Sequence, residues 1–172
     1  MIGLNDNYSG RVEVDFTHRQ PLLTVGAVAW IARMDPFRVI QACEDGTFAW
    51  AFDLAEPSAR KRSLRIWRGS VCENLRTQGR CGGESAAESM VLDDIIPVAR
   101  NPFSSEMTRR LSIHRTTLAD FIDAGQVKVS GPAHAKYGIE AACKLERASL
   151  VKFLSSRRLG FCGARQLEAP FA

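Results

Sequence analysis

The chain has 172 residues, of which 45% are hydrophobic and 24% are charged, a composition typical of folded globular proteins that excludes a disordered or collagen-like chain. Its formal net charge of +4 is a mild basic excess rather than the signature of a strongly cationic nucleic-acid binder. No run approaches the roughly 20 apolar residues of a membrane span, so we expect a cytoplasmic protein with no membrane partner.

Two short helices open the predicted fold. Thr24 can cap the first helix, which carries Val28 and Ala29 on one apolar face. Asp35 and Pro36 form an N-cap followed by a proline at the first helical position, which predicts the start of the second helix. That helix ends at a glycine, Gly46 in the sequence, and the two helices with their tight corner predict a helix-turn-helix.

A hairpin follows the two helices. The alternating run 48–52 predicts one strand, and the run 64–67 predicts its antiparallel partner. The polar loop between them, residues 53–63, is predicted to be the tip of a wing. Ser70 and Glu73 then fit a capping box that opens a third helix.

The same order of elements returns 79 residues later, the distance between Gly46 and Gly125. The second copy has a helix capped by Ser104 or Ser105, a second helix with His114 at its cap, short strands at 127–129 and 142–145, and a last helix from Ser149. We therefore predict an α+β, mostly helical fold with two tandem modules. The predicted division is module 1 at 12–76, a linker at 77–90, module 2 at 91–158 and a tail at 159–172.

These residues resemble the excisionase-type, MerR-related winged helix-turn-helix family. The resemblance is carried by Leu23-Thr24, Val28-Ala29, Gly46 and the segment 65–71 (RIWRGSV), and again by Met107, Gly125 and the segment 144–150 (KLERASL). It implies two winged helix-turn-helix modules that bind double-stranded DNA, in transcription regulation or as a recombination (excision) accessory factor. The chain departs from that family at the corner, where it has Ala32-Arg33 and Leu111-Ser112 in place of the usual Leu-Gly.

A winged module places its second helix in the major groove and its wing along the backbone or in the minor groove. On the second helix of module 1, Arg38 fits guanine and Gln41 fits adenine, whereas on that of module 2 a threonine can contact a thymine methyl group or a phosphate. Arg65 has an alternative role, which is to order the junction between wing and helix by binding carbonyls or carboxylates. The full set of candidate DNA contacts is Phe37, Arg38, Gln41, Arg60, Lys61, Arg62, Arg65, Arg115, Thr116, Thr117 and Lys136.

Catalytic and metal motifs are missing from the sequence. The five cysteines form no C-x-x-C or C-x-x-H spacing, and there is no Gly-rich phosphate loop, H-E-x-x-H or G-x-S-x-G. We therefore expect no enzyme activity, no cofactor and no metal. The expected partners are double-stranded DNA and a recombinase or RNA polymerase. The sequence is compatible with a monomer or an oligomer. The alternative function is a protein-interaction adaptor that uses the same folds to dock on a polymerase, recombinase or transposition partner.

Overall fold

The computed structural model describes residues 20–56, 59–77, 86–131 and 143–160. These residues form an α+β, mostly helical fold with seven helices and one three-stranded antiparallel sheet, which confirms the predicted class. None of the described helices has the length and apolar character to span a membrane. The elements in chain order are β1 (Leu22–Thr24), α1 (Val25–Ala32), α2 (Pro36–Glu44), β2 (Ala51–Asp53), β3 (Leu64–Trp67), α3 (Arg68–Arg76), α4 (Glu88–Ile95), α5 (Ser104–Arg110), α6 (Arg115–Asp123) and α7 (Arg147–Arg157).

Helices α1 and α2 begin at the residues that the sequence predicts. The Oγ1 atom of Thr24 accepts a hydrogen bond from the backbone N–H of Ala27 at 3.2 Å. The Oδ1 atom of Asp35 accepts from the N–H of Phe37 at 2.8 Å. Each cap satisfies a backbone donor that has no partner within the helix, so both predicted N-caps are confirmed.

The 79-residue repeat is visible in the backbone. α6 repeats the bounds of α2 at this spacing, and α5 and α7 begin 79 residues after α1 and α3. The corner residues Arg33 and Ser112 both adopt the left-handed conformation, with φ of 51° and 53°. Gly46 and Gly125 do the same, with φ of 83° and 69°. Non-glycine residues rarely adopt this conformation, so the repeated corner is strong evidence that the two halves share one local plan.

Strand pairing is reduced in the second half. Phe103 pairs with Lys144 at the positions that correspond to the β1–β3 pairing, and Val129 pairs with Leu145 in place of the β2–β3 pairing. Each contact is an isolated bridge, so within the described segments the two predicted strands of the second half reduce to Val129 and to the neighbours Lys144 and Leu145.

The serines predicted as helix caps have a different role. α3 and α7 each begin two residues before the predicted serine, and α5 begins at Ser104 with no side-chain cap. Ser70 is buried, and its Oγ accepts from the backbone N–H of Trp50 at 3.0 Å. The Oγ of Ser149 accepts from the N–H of Lys128 at 2.9 Å. Each hydroxyl therefore holds its helix against an earlier extended segment of the chain, at Trp50 or at Lys128, instead of capping the helix.

The sheet lies between two apolar cores. β3 is its central strand, and one face packs through Leu23 and Ile66 against α1, α2 and α3. The opposite face joins a larger core that includes apolar side chains of α4, α5, α6 and α7. The first half contributes four buried residues to this larger core, namely Leu22, Trp50, Phe52 and Leu54. The two halves therefore pack on the two faces of one sheet.

Two predicted boundaries fall inside packed structure. α4 begins within the predicted linker at Glu88 and buries Val91 and Ile95. At the other boundary, the N–H of Leu159 donates to the carbonyl of Ala51 at 2.9 Å and so covers the outer edge of β2. The division between the halves is therefore less sharp than the boundaries at 90 and 159 imply, because both segments bury apolar surface.

The indole ring of Trp67 leaves no room for a larger side chain at Gly69. A Cβ there would lie 2.2 Å from the indole ring of Trp67, whose N–H donates to Asp94 at 2.8 Å. Gly69→Ala should therefore lower the free energy of unfolding by about 1–3 kcal/mol, the usual effect of overpacking.

Gly26→Ala is the matched control, because Gly26 is also the second residue of its helix and an added Cβ there meets nothing within 4 Å. This variant should gain up to about 1 kcal/mol from the better helix propensity of alanine. Urea unfolding followed by circular dichroism measures both variants. Stabilisation of the Gly69 variant as well would show that the indole does not pack over this helix.

Candidate nucleic-acid interface

The outward face of α2 presents three neighbouring side chains. The helix buries Val39 and Cys43, among others, toward the smaller core. Phe37 is 71% exposed, and Arg38 and Gln41 are exposed as well. Residues three and four apart lie on one side of a helix, so these three form one contiguous surface from its first turn past its middle.

The acidic groups at the two ends of α2 are engaged locally. Asp35 caps the helix, and Asp45 accepts from both the backbone N–H and the hydroxyl of Thr47. Glu44 forms an ion pair with Arg62 at 2.5 Å. These carboxylates therefore have protein partners that reduce their repulsion of an approaching phosphate.

Four cations on the same part of the surface have no such partners among the described residues. Arg33 at the corner is exposed and is a further candidate contact that the sequence did not predict, although its position two residues before the cap of α2 is a usable signal. Within the described residues, no hydrogen bond or ion pair engages the side chains of Arg33, Arg38, Arg60 and Lys61. Their donors are available to an anionic partner.

Asp53 organises the loop between β2 and β3, hereafter the β2–β3 loop. Its Oδ1 accepts from the N–H groups of Ala55 and Ser63 at 3.1 and 2.9 Å, and its Oδ2 accepts from Arg62 at 2.9 Å. Burial raises the pKa of Asp53, but these hydrogen bonds outweigh that effect and hold the pKa below its usual value. The carboxylate therefore fixes both ends of the loop.

Arg62 is less suited to DNA than the sequence predicts. Its guanidinium joins Asp53 in β2 to Glu44 at the end of α2. The two ion pairs hold the β2–β3 loop against α2 and offset the charge of Arg62. Arg60 and Lys61, also predicted as contacts, are exposed on this loop and remain candidate contacts.

Arg65, another predicted DNA contact, lies at the junction between the halves, where backbone carbonyls engage its guanidinium. Its Nε and Nη2 donate to the carbonyl of Ser112 at 3.0 and 2.7 Å, and Nε also lies 3.2 Å from the carbonyl of Leu111. The side chain is half-buried, and burial lowers the pKa of its guanidinium. Arg65 therefore binds carbonyls, as the alternative role predicts, but these carbonyls belong to the α5–α6 corner and not to the junction between wing and helix.

The second half presents a different surface. Arg115 and Thr116 are exposed at the start of α6, and Thr117 is half-buried. The hydroxyl of Thr116 lies 2.9 Å from Nδ1 of His114, the N-cap of α6. Exposed Asp120 lies at the position that corresponds to Gln41, so α6 carries a carboxylate where α2 carries an amide. The remaining candidate, Lys136, lies outside the described residues.

Comparison with protein-family models, with curated proteins and with solved structures finds no match to this chain. Across residues 20–56, 59–77, 86–131 and 143–160, no cluster of His, Cys, Asp and Glu side chains has an arrangement that could hold a metal ion.

We expect Arg65 to stabilise the fold instead of binding DNA. Arg65→Ala should lower the free energy of unfolding by about 2 kcal/mol, because the carbonyls of the α5–α6 corner lose a charged donor. Arg65→Lys should recover only part of this loss, because an ammonium lacks the planar fork of the guanidinium.

Arg60→Ala is the control for this measurement, since its side chain has no partner in the described part of the chain. Its free energy of unfolding should stay within about 0.5 kcal/mol of the parent value. Urea denaturation reports all three variants, and a fully stable Arg65→Ala protein would contradict the assigned role.

Proposed function

We propose that the chain binds double-stranded DNA through two tandem winged helix-turn-helix modules and acts as a transcriptional regulator or a recombination accessory factor. The main supporting observation is the outward face of α2, where the side chains of Arg38 and Gln41 are exposed and have no partner within the described residues. The repeated helix pairs α1–α2 and α5–α6 support the tandem arrangement.

The chemistry of α2 suits a major groove. The groove is about 12 Å wide and admits one helix, and the planar groups of arginine and glutamine can each bind a purine edge through two hydrogen bonds. Arg38 lies in the first turn of α2, and Gln41 follows three residues later on the same face. The N-terminal end of a helix carries the positive end of its dipole, which favours approach to phosphates from this end.

The β2–β3 loop supplies the phosphate contacts in this proposal. Arg60 and Lys61 are exposed on the loop, and the ion pair between Arg62 and Glu44 fixes the loop relative to α2. A loop held in this way brings its two free cations to the backbone next to the groove that α2 occupies.

Module 2 contributes less direct contact. Its carboxylate at Asp120 repels phosphate except where it accepts from a cytosine amino group. Its packing on the sheet and the hydrogen bonds from Arg65 fix one orientation of α6 relative to α2. The chain thus presents its two helices to DNA as one unit.

A second candidate function is docking on a protein, and Trp30 favours it. This side chain on α1 is 79% exposed, and large exposed apolar side chains are typical of protein interaction sites. Trp30→Ala should leave DNA affinity unchanged if the indole serves a protein partner.

Salt dependence tests DNA binding. Affinity for duplex DNA should fall steeply between roughly 50 and 200 mM salt, since each neutralised phosphate releases counterions. The double variant Arg60→Ala and Lys61→Ala should reduce the slope of log K against log salt by up to about 2, because each contact contributes about 0.9. Fluorescence anisotropy with a labelled duplex gives both the affinity and the slope.

A second double variant, Arg76→Ala with Lys152→Ala, removes the same charge from α3 and α7 and is the matched control. Its slope should stay close to that of the parent protein. Affinity that is independent of salt, together with no loss in the loop variant, would exclude DNA binding by this surface.

A further inference from the structure

Phe37 has no packing role in the described structure. It belongs to neither apolar core nor to the partly buried side chains that pack against them, and it is 71% exposed. Its backbone N–H is held by the cap at Asp35, so the first turn that carries the ring is fixed in place. An exposed aromatic ring on a fixed helical turn is available to an apolar group outside the fold.

We propose, on the basis of the DNA-binding function proposed above, that Phe37 recognises thymine through its C5-methyl group in the major groove. Among the base edges exposed in that groove, this methyl group is the apolar one, and phenylalanine is one of the side chains that contact it. Arg38 and Gln41 on the same face match the polar edges of guanine and adenine. The three side chains together can read one apolar and two polar features.

The spacing of these residues limits where the thymine lies. Phe37 and Gln41 are separated by about 6 Å along the helix axis, at a rise of about 1.5 Å per residue. Successive base pairs are about 3.4 Å apart, so this distance corresponds to roughly two steps of the duplex. The thymine therefore lies within about two base pairs of the adenine that Gln41 binds, in the half-site bound by module 1.

The charges around Phe37 favour DNA over a protein as the occupant of this face. Arg33 and Arg38 are exposed beside it, and neither has a partner in the described residues. The carboxylates at the two ends of the helix are engaged in caps and an ion pair. An apolar ring bordered by free guanidinium groups is complementary to a base edge that is flanked by phosphates.

Deoxyuridine gives a direct test, because it pairs as thymine does and lacks only the C5-methyl group. A binding site is first selected from a random duplex pool, and each thymine in it is then replaced in turn by deoxyuridine. At one position, the replacement should weaken binding of the parent protein about fourfold, the effect of losing one buried methyl group. Phe37→Ala should bind the two duplexes equally and with the weaker affinity.

Arg38→Ala is the matched control on the same face. It should weaken binding overall while it keeps the thymine-to-deoxyuridine ratio of the parent protein. Selected duplexes that bind the parent protein with no preference at any thymine would refute the role of Phe37 and leave DNA binding intact. Failure to select any duplex, together with salt-independent affinity, would refute both the proposed function and this inference.

A second copy of the chain bound at Phe37 gives a different result. In that case Phe37→Ala would change the mass of the species in solution, measured by light scattering, and would leave the preference for thymine unchanged. That result would overturn the proposal. An unchanged mass combined with loss of the preference supports it.

Discussion

The burial of both faces of the small sheet is the constraint on which the structure depends. The sheet has only three short strands, and a two-sided apolar ribbon of this size is not stable in water without cover on each face. α1, α2 and α3 cover one face, and the second half covers the other. Leu22 and Phe52 would be exposed without the second half, so the first half needs the second to complete its core.

Polar contacts fix how the second half sits on that face. The indole N–H of Trp67 donates to Asp94, and the hydroxyl of Ser112 donates to the carbonyl of Leu22 at 2.7 Å. The guanidinium of Arg157 donates to the carbonyl of Ala55. Each of these bonds has a direction, whereas apolar burial alone leaves the angle between the halves free to vary. Together with Arg65, they determine how α6 lies relative to α2.

The sequence predicts local structure well and contacts between distant segments poorly. Thr24, Asp35 and Gly46 indicate helix ends through the backbone groups next to them, and the structure confirms all three. Alternation in 48–52 predicts one buried face, but Phe48 packs in one core and Phe52 in the other. The partner of Arg65 lies 47 residues away, so no local pattern reveals that its guanidinium serves the fold. The exposed residues of α2 are predictable because the helical period alone determines that face.

The difference between the two modules follows from their corresponding residues. Arg38 and Gln41 of α2 correspond to Thr117 and Asp120 of α6, so α6 lacks the long donors that can span the distance to a base edge. Its other candidate, Arg115, lies at the first position of the helix, where α2 has Pro36. The backbone plan has been kept while the contact chemistry differs. The second copy keeps its packing surface and orients the first, so under the proposed DNA-binding function the specificity for DNA lies in α2 and the β2–β3 loop.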